Sequence, residues 1–115
     1  MTEHDLARIE ETLGIRMPPD YSRFILSKWS HQVPGLFLDA DQIISENLRR
    51  RTKSWLGRPL ESVFFVFALD RAGNEVFFDL DIPKTPVFVA EHAKRNCRVQ
   101  AKSFEVWLLK QADSE

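Results

Sequence analysis

The chain has 115 residues, which is enough for one domain with a single hydrophobic core and too few for two. Its formal net charge is −1, so no overall field favours a nucleic acid or another strongly charged partner. With one cysteine, Cys97, the chain cannot form an internal disulfide or a cysteine-based zinc site, and this usage is typical of a reducing cytoplasm. No secretory signal is predicted at the N-terminus, and no apolar stretch approaches the ~20 residues of a membrane span.

Two amphipathic helices are predicted in the N-terminal part of the chain. Thr2 suits an N-cap with Asp5 three positions later, and Gly14 suits the left-handed residue that ends the first helix. Pro19 suits the first position of the second helix, where its missing N–H is not needed. Helical spacing gives their inward faces as Leu6, Ile9, Leu13, Tyr21, Phe24, Ile25, Lys28 and Trp29.

A third helix is predicted from Asp39 to Lys53, after a loop over residues 30–35 and a short extended piece at residues 36–38. Its apolar line is formed by Ile43, Ile44 and Leu48. The helix ends in three consecutive arginines, and cations there complement the negative end of the helix dipole.

Residues 63–80 are typical of a β-hairpin at the centre of an antiparallel sheet. Two runs rich in phenylalanine and valine flank a turn, residues 70–74, in which Gly73 supplies a positive φ. Strict alternation places Val63, Phe65, Phe67 and Leu69 on one face of the first strand, and Phe64, Val66 and Ala68 on the other. Because both faces carry large apolar groups, one should take the helices, and the other is either covered by the C-terminal segment or docks a partner.

The C-terminal third predicts one more strand and a closing helix. Residues 86–90 alternate as a strand, residues 91–98 are polar, and residues 99–102 form a short extended piece. Ser103 caps a last helix, whose inward positions are Phe104, Trp107 and Leu108. Since the sequence contains no internal repeat and no linker, residues 1–115 are expected to form a single domain.

Three motifs in this order resemble the SUKH superfamily, the Smi/Knr-like fold. The first is Leu13-Gly14 followed by Met17-Pro18-Pro19-Asp20-Tyr21, the second is the turn Asp70-Arg71-Ala72-Gly73-Asn74 before an apolar strand, and the third is Ser103-Phe104 followed by Trp107-Leu108. The resemblance covers roughly residues 3–110. The region from Ser30 to Pro59 departs from the family pattern, because Ser30-His31 replaces its Asn-Gly and the arginine-rich stretch is additional.

The resemblance implies an α+β domain, with an antiparallel sheet of about four to six strands and with N-terminal helices and a C-terminal helix packed mainly on one side. Similar bacterial proteins are mostly immunity proteins for secreted or contact-delivered toxins, often nucleases, whereas fungal relatives are regulatory modules that bind other proteins. Neither group is known for catalysis, so no enzyme activity, catalytic residue or cofactor is expected. We interpret the chain as a cytoplasmic, non-catalytic immunity protein that neutralises a cognate toxin by stoichiometric occlusion. The alternative is an interaction or scaffold module that forms a homodimer through the second sheet face.

Other kinds of site receive little support from the sequence. His4, His31 and His92 are scattered without the spacing of metal ligands, so no metal site is predicted. Asp79 and Asp81 place two carboxylates on one side of a strand end, where an exposed terminus is the simpler interpretation than an acid–base pair.

Cys97 lies near two arginines but lacks an evident histidine partner, so an inert thiol is expected.

The run Arg49–Arg51, with Lys53, Trp55 and Arg58 nearby, is the strongest signal for nucleic-acid binding, since cations contact phosphates and an aromatic ring can stack on a base. The remainder of the chain is not basic, so nucleic-acid binding is disfavoured against a solvated helix end.

An acidic surface is the predicted site of toxin binding, because nuclease toxins are usually basic. Two groups of carboxylates offer such a surface. One group comprises Asp39, Asp41 and Glu46; the other, which is favoured because several of its members project from one hairpin, comprises Asp70, Glu75, Asp79 and Asp81.

Overall fold

The computed structural model describes residues 1–27, 38–52, 60–61 and 63–113. The elements follow in the order α1 (Glu3–Leu13), α2 (Pro19–Leu26), α3 (Ala40–Thr52), β1 (Phe64–Leu69), β2 (Glu75–Asp79), β3 (Val87–Glu91), β4 (Asn96–Ala101) and α4 (Phe104–Asp113). The four strands form one antiparallel sheet in the order β1-β2-β3-β4. The predicted α+β fold is therefore confirmed. The predicted loop at residues 30–35 and the inward positions Lys28 and Trp29 lie outside the described residues.

The predicted ends of α1 are confirmed by its hydrogen bonds. Thr2 Oγ1 accepts the Asp5 N–H at 3.1 Å, and Asp5 Oδ2 accepts the Thr2 N–H at 3.0 Å, which is a reciprocal capping box. Gly14 ends the helix with φ 67°. The helix α2 begins at Pro19, as predicted. Short local signals thus determine both ends of α1 and the start of α2.

The core is one cluster of buried residues to which the sheet and all four helices contribute, and its aromatic centre lies between one face of the sheet and the helices α2 and α4. Tyr21 is fully buried at its centre, and burial raises the pKa of its hydroxyl. Four phenylalanine rings surround it with centroid distances of 5.6–5.8 Å: Phe65, Phe67, Phe78 and Phe104. Trp107 packs edge-on against Phe67 at 5.2 Å. Burial of each aromatic side chain contributes about 1.5–3 kcal/mol, so this cluster supplies much of the folding energy.

A bulge in β1 changes the predicted assignment of side chains to faces. Val66 pairs with Phe77 and Ala68 pairs with Val76, which leaves Phe67 as an extra residue. Ala68 therefore joins the helix-covered face, and Leu69 moves to the opposite face. The predicted alternation correctly placed Phe65 and Phe67 on one face. It was wrong for Ala68 and Leu69, which follow the bulge and lie on the faces opposite to those predicted.

The inward face of α3 also differs from the prediction. Ile43 is buried, but Leu48 is 40% exposed, and the next inward position is the fully buried Asn47. The helix borders β1 along the sheet edge, where a buried amide can bond to the strand backbone. Hydrophobic spacing alone selected Leu48 because a polar asparagine breaks the apolar pattern.

The fourth strand is longer than predicted. It begins at Asn96, within the segment that the sequence analysis described only as polar, and ends at Ala101. Its first four residues are exposed, so they carry no alternating hydrophobic signal. The predicted closing helix after Ser103 is confirmed, with the Ser103 Oγ accepting the Val106 N–H at 3.2 Å.

The second sheet face carries a row of paired residues from all four strands: Val66, Phe77, Phe88 and Val99. The Phe77 and Phe88 rings stack at 5.6 Å. Burial falls along this row, since Val66 and Phe77 are buried, Phe88 is half-buried and Val99 is 57% exposed. The apolar surface of this face is therefore exposed mainly towards β4.

Candidate functional site

The three arginines at the end of α3 form ion pairs and hydrogen bonds with other residues of the domain. Arg49 pairs with Glu46 at 2.6 Å, and Arg50 contacts both Glu46 at 3.4 Å and Glu75 at 3.0 Å. Arg51 donates from Nη1 to the Leu13 carbonyl at 2.9 Å, at the end of α1, and burial lowers the pKa of its guanidinium. The run therefore ties α3 to α1 and β2, which removes most of the support for a phosphate-binding patch.

Glu75 is the centre of a polar cluster at one end of the sheet. Its side chain is 0% exposed, and its two oxygens face different partners. Oε1 lies 3.0 Å from Arg50 Nε; the two atoms form an ion pair, but their geometry is not that of a hydrogen bond. Oε2 contacts His92 Nε2, in the turn between β3 and β4. A buried carboxylate needs such partners, because removal from water penalises the charged form.

The hairpin turn is joined to this cluster through Asn74. Asp70 Oδ1 accepts the N–H groups of Ala72 at 2.9 Å and Asn74 at 2.8 Å, and Gly73 has φ 82°. The Asn74 Oδ1 in turn accepts the His92 N–H at 3.2 Å. The predicted turn is confirmed, and its carboxylate serves to hold the turn in shape.

A groove of about 350 Å³ lies between α3 and the end of β1. Leu38 and Leu69 give it an apolar part, whereas α3 lines it with Asp41, Gln42, Ser45 and Glu46. The Asp41 side chain is 84% exposed and pairs with Arg8 at 2.9 Å. Glu46 is mostly buried and is held by Arg49 and Arg50, so the groove is joined to the Glu75 cluster. We call this surface the α3–β1 groove.

The favoured acidic group is spread over both ends of the hairpin. Asp70 and Glu75 lie at the turn, whereas Asp79 pairs with Phe64 at the far end of the strands. Asp79 accepts the Asp81 N–H at 3.0 Å, and Asp81 is exposed. Glu75 is buried, which leaves Asp81 as the most accessible member. A role of these four residues in binding a partner stays a prediction.

Two members of the other acidic group do come together. Asp41 and Glu46 both line the α3–β1 groove, while Asp39 caps α3 by accepting the Gln42 N–H at 2.9 Å. The sequence shows that Asp41 and Glu46 lie on one predicted helix. Their proximity to Leu69 cannot be inferred in this way, because it depends on the packing of α3 beside β1.

The remaining predicted site residues are dispersed. His4 is exposed on α1, His92 contacts Glu75, and His31 lies outside the described residues, as do Lys53, Trp55 and Arg58. Among the described residues, no cluster of three or more histidine, cysteine or acidic side chains has the arrangement of a metal site. Cys97 is exposed on β4. In the same ranges, none of the helices combines the length and apolar character required to cross a bilayer.

Sequence reasoning missed two residues that shape this site. Asn47 is a polar residue on a buried helix face, and His92 was considered only as a metal ligand. The contacts Asn47–Val66 and His92–Glu75 join residues 19 and 17 positions apart. A polar residue at an inward helical position is the signal that identifies Asn47; no comparable pattern marks His92.

These features define a small α+β domain with a groove between α3 and β1 that is lined by both apolar and acidic side chains. The chain matches the SMI1 / KNR4 family (SUKH-1) over residues 1–110 and belongs to that family. The resemblance inferred from the three sequence motifs is thereby confirmed. A comparison with curated proteins gave no match.

Proposed function

We propose that this protein is a non-catalytic immunity protein that binds a cognate bacterial toxin in the cytoplasm and neutralises it by stoichiometric occlusion. Membership of the SMI1 / KNR4 family (SUKH-1) is the observation that carries this proposal, because bacterial proteins of this family mostly act as immunity proteins. The proposal includes a nuclease as one class of toxin.

The α3–β1 groove is the proposed contact surface. Its apolar part, Leu38 and Leu69, suits the aliphatic stem of a lysine or arginine side chain. Asp41, which is largely exposed although Arg8 contacts its Oδ1, would face the cationic head. A basic toxin would present such side chains where it binds its own anionic substrate. Electrostatic complementarity of this kind raises the rate of association and excludes partners of the wrong charge.

The ion pairs beside the groove support the proposal. Glu46 lines the groove and contacts two arginines, one of which also contacts the buried Glu75. A preformed surface loses little conformational entropy when a partner binds, and tight inhibition depends on keeping that loss small. The network beneath the groove therefore favours tight binding of a partner whose surface fits it.

Co-expression with a toxin tests this function. The toxin should be taken from a reading frame adjacent to this gene that encodes a secreted protein, and growth should be measured with and without the present chain. Protection is expected from the wild type, and loss of protection from Ser45→Lys, which places an exposed cation and added bulk in the groove. Glu11→Lys, which adds lysine at an exposed position on α1, is the control and should protect.

A third variant separates the two acidic surfaces. Asp81→Lys alters the accessible member of the hairpin group without touching the α3–β1 groove. Full protection by Asp81→Lys together with failure of Ser45→Lys would assign binding to the groove. The reverse pattern would assign it to the hairpin carboxylates, and protection by neither wild type nor variants would reject the immunity function for that toxin.

A further inference from the structure

The turns of the two hairpins lie side by side at one end of the sheet. Residues 70–74 join β1 to β2 and residues 92–95 join β3 to β4, and the antiparallel order β1-β2-β3-β4 places both turns at the same end. The Asn74 Oδ1 accepts the His92 N–H at 3.2 Å, and the Glu75 side chain contacts the His92 ring. These contacts hold the turns together, and we call residues 70–74 and 92–95 the twin-turn surface.

Hydrogen bonds within each turn stabilise its backbone conformation. In the first turn, the Asp70 carboxylate accepts the N–H groups of Ala72 at 2.9 Å and Asn74 at 2.8 Å. In the second turn, the Arg95 N–H donates to the His92 carbonyl at 3.2 Å, and Arg95 has φ 53°. A surface that is ordered before it meets a partner loses less conformational entropy on binding. The twin-turn surface is thus suited to present side chains to another molecule.

The carboxylates in and beside the two turns are engaged within the chain. Between positions 70 and 75 and between positions 91 and 95, the acidic residues are Asp70, Glu75 and Glu91. Asp70 accepts the N–H groups of its turn, and Glu75 is 0% exposed. Glu91 contacts Lys94 at 3.7 Å and also contacts Arg98. Little negative charge is therefore left for a partner to meet at this end of the sheet.

Two arginines on these turns, by contrast, are exposed and have no partner within the described part of the chain. Arg71 lies in the first turn and Arg95 in the second. Among the described residues, neither guanidinium has a carboxylate within ion-pair distance. The Lys94 side chain, which is 69% exposed, adds a third cation beside Arg95. The exposed charge of the twin-turn surface is therefore positive, although the chain as a whole has a net charge of −1.

The chemistry of these cations favours carboxylates of a protein as their partner. A guanidinium presents a planar fork of N–H donors that matches either a carboxylate or a phosphate. Nucleic acid would be favoured by a longer row of cations along its backbone or by aromatic rings that stack on its bases. Neither turn contains phenylalanine, tyrosine or tryptophan, and the cations are confined to the two turns. An acidic protein segment therefore fits this surface better than a nucleic acid.

We propose that the twin-turn surface binds an acidic segment of a partner protein, with Arg71 and Arg95 each pairing with a carboxylate of that segment. Since ion pairs between exposed side chains are individually weak, the affinity depends on both turns acting together. The surface selects the opposite charge from the α3–β1 groove. The proposal does not rest on the immunity function, and its test requires no toxin.

An NMR titration of the isotope-labelled full chain tests this proposal. The probe is a peptide of alternating serine and glutamate, one control peptide has lysine in place of glutamate, and a single-stranded oligonucleotide tests for phosphate binding. With the glutamate peptide we expect saturable shifts of the backbone amides in residues 70–74 and 92–95, and the affinity should fall as salt is raised. The absence of saturable shifts in these residues, equal binding of the lysine peptide, or tighter binding of the oligonucleotide would overturn the proposal.

Three variants with the same change in net charge locate the site. Arg71→Glu and Arg95→Glu should each weaken binding of the glutamate peptide about threefold. Arg16→Glu is the matched control, because Arg16 is also exposed and has no carboxylate within ion-pair distance among the described residues, and its affinity should equal that of the wild type. An equal loss in Arg16→Glu would show that net charge alone is responsible. That result, or unchanged affinity in folded Arg71→Glu and Arg95→Glu variants, would overturn the assignment.

Discussion

The Asn47 side chain pairs with the backbone of Val66 as a neighbouring strand would, because its Oδ1 accepts the Val66 N–H and its Nδ2 donates to the Val66 carbonyl, each at 2.9 Å. The same Nδ2 donates to the Ile43 carbonyl at 2.8 Å. One residue of α3 thus closes the β1 edge beside the bulge at Phe67. This bond pair fixes the distance between α3 and β1 and with it the shape of the groove.

Replacement of Asn47 by leucine should therefore destabilise the domain. The change leaves the buried N–H and C=O of Val66 without these partners, and each unpaired group costs about 1–3 kcal/mol. We expect a loss of about 2–4 kcal/mol in urea unfolding. Ser45→Leu introduces the same side chain at an exposed position of the same helix, so it serves as the control and should cost under about 0.5 kcal/mol. Equal stabilities of the two variants would contradict a structural role for the amide.

The ion pair between Arg50 and Glu75 is expected to show measurable coupling. Arg50→Met leaves a fully buried carboxylate with His92 as its remaining described partner, so we predict a loss of about 3 kcal/mol. Glu75→Gln keeps the shape but removes the charge, and a smaller loss of about 1–2 kcal/mol is expected. The double variant should be more stable than the sum of the single losses implies. Strict additivity in this double-mutant cycle would show that the two side chains do not interact.

Gly73 tests the assignment of the hairpin turn. Its φ is 82°, and an added Cβ would meet no atom within 4 Å, so backbone strain alone opposes a side chain there. Gly73→Val should lower the free energy of unfolding by about 1–2 kcal/mol, because a β-branched residue resists this conformation. Gly73→Asn should cost less, since asparagine tolerates positive φ. An unchanged melting temperature in the valine variant would mean that the turn is assigned incorrectly.

The capping box of α1 should be visible in the pH dependence of stability. The pKa of the Asp5 carboxyl is held below its usual value of 3.8, first by the hydrogen bond from the Thr2 backbone and then by the Thr2 side chain. Because the pKa is lower in the folded state, the carboxylate stabilises the fold above pH 3.8, and this contribution disappears as the pH falls through the folded-state value.

Thermal unfolding of Asp5→Asn measures that contribution. The variant should melt at a lower temperature than the wild type near neutral pH, and the difference should shrink once the pH falls below 3.8. Glu11→Gln, on the exposed side of the same helix, is the control for a general loss of one negative charge. A constant difference at all pH values would contradict the linkage.

Local chemistry made much of the fold predictable. Thr2 and Asp5, Gly14, Pro19 and Gly73 act within a few residues of their own positions, so their roles could be inferred from spacing alone. The bulge at Phe67 could not, because it is set by how β1 pairs with β2 and leaves the alternation of apolar residues intact. The early start of β4 was also missed, since exposed edge residues give no periodic signal.

The candidate site was less predictable than the fold. Asp41 and Glu46 were identified as acidic residues, but their groove requires Leu69 from β1, more than twenty positions away in the chain. The arginines at the end of α3 resembled a solvated or phosphate-binding patch because a sequence does not show which carboxylates and carbonyls they reach. Tertiary contacts, such as Arg51 with the Leu13 carbonyl, decide that question.

A titration of toxin activity against the purified protein tests the central claim most directly. For stoichiometric occlusion, activity should fall linearly and reach zero at one equivalent, with no further change over time. The Ser45→Lys variant should shift this curve to higher protein concentration. Progressive inactivation by substoichiometric protein would indicate catalysis, and full toxin activity in excess protein would show that no occlusion takes place; either result would contradict the account.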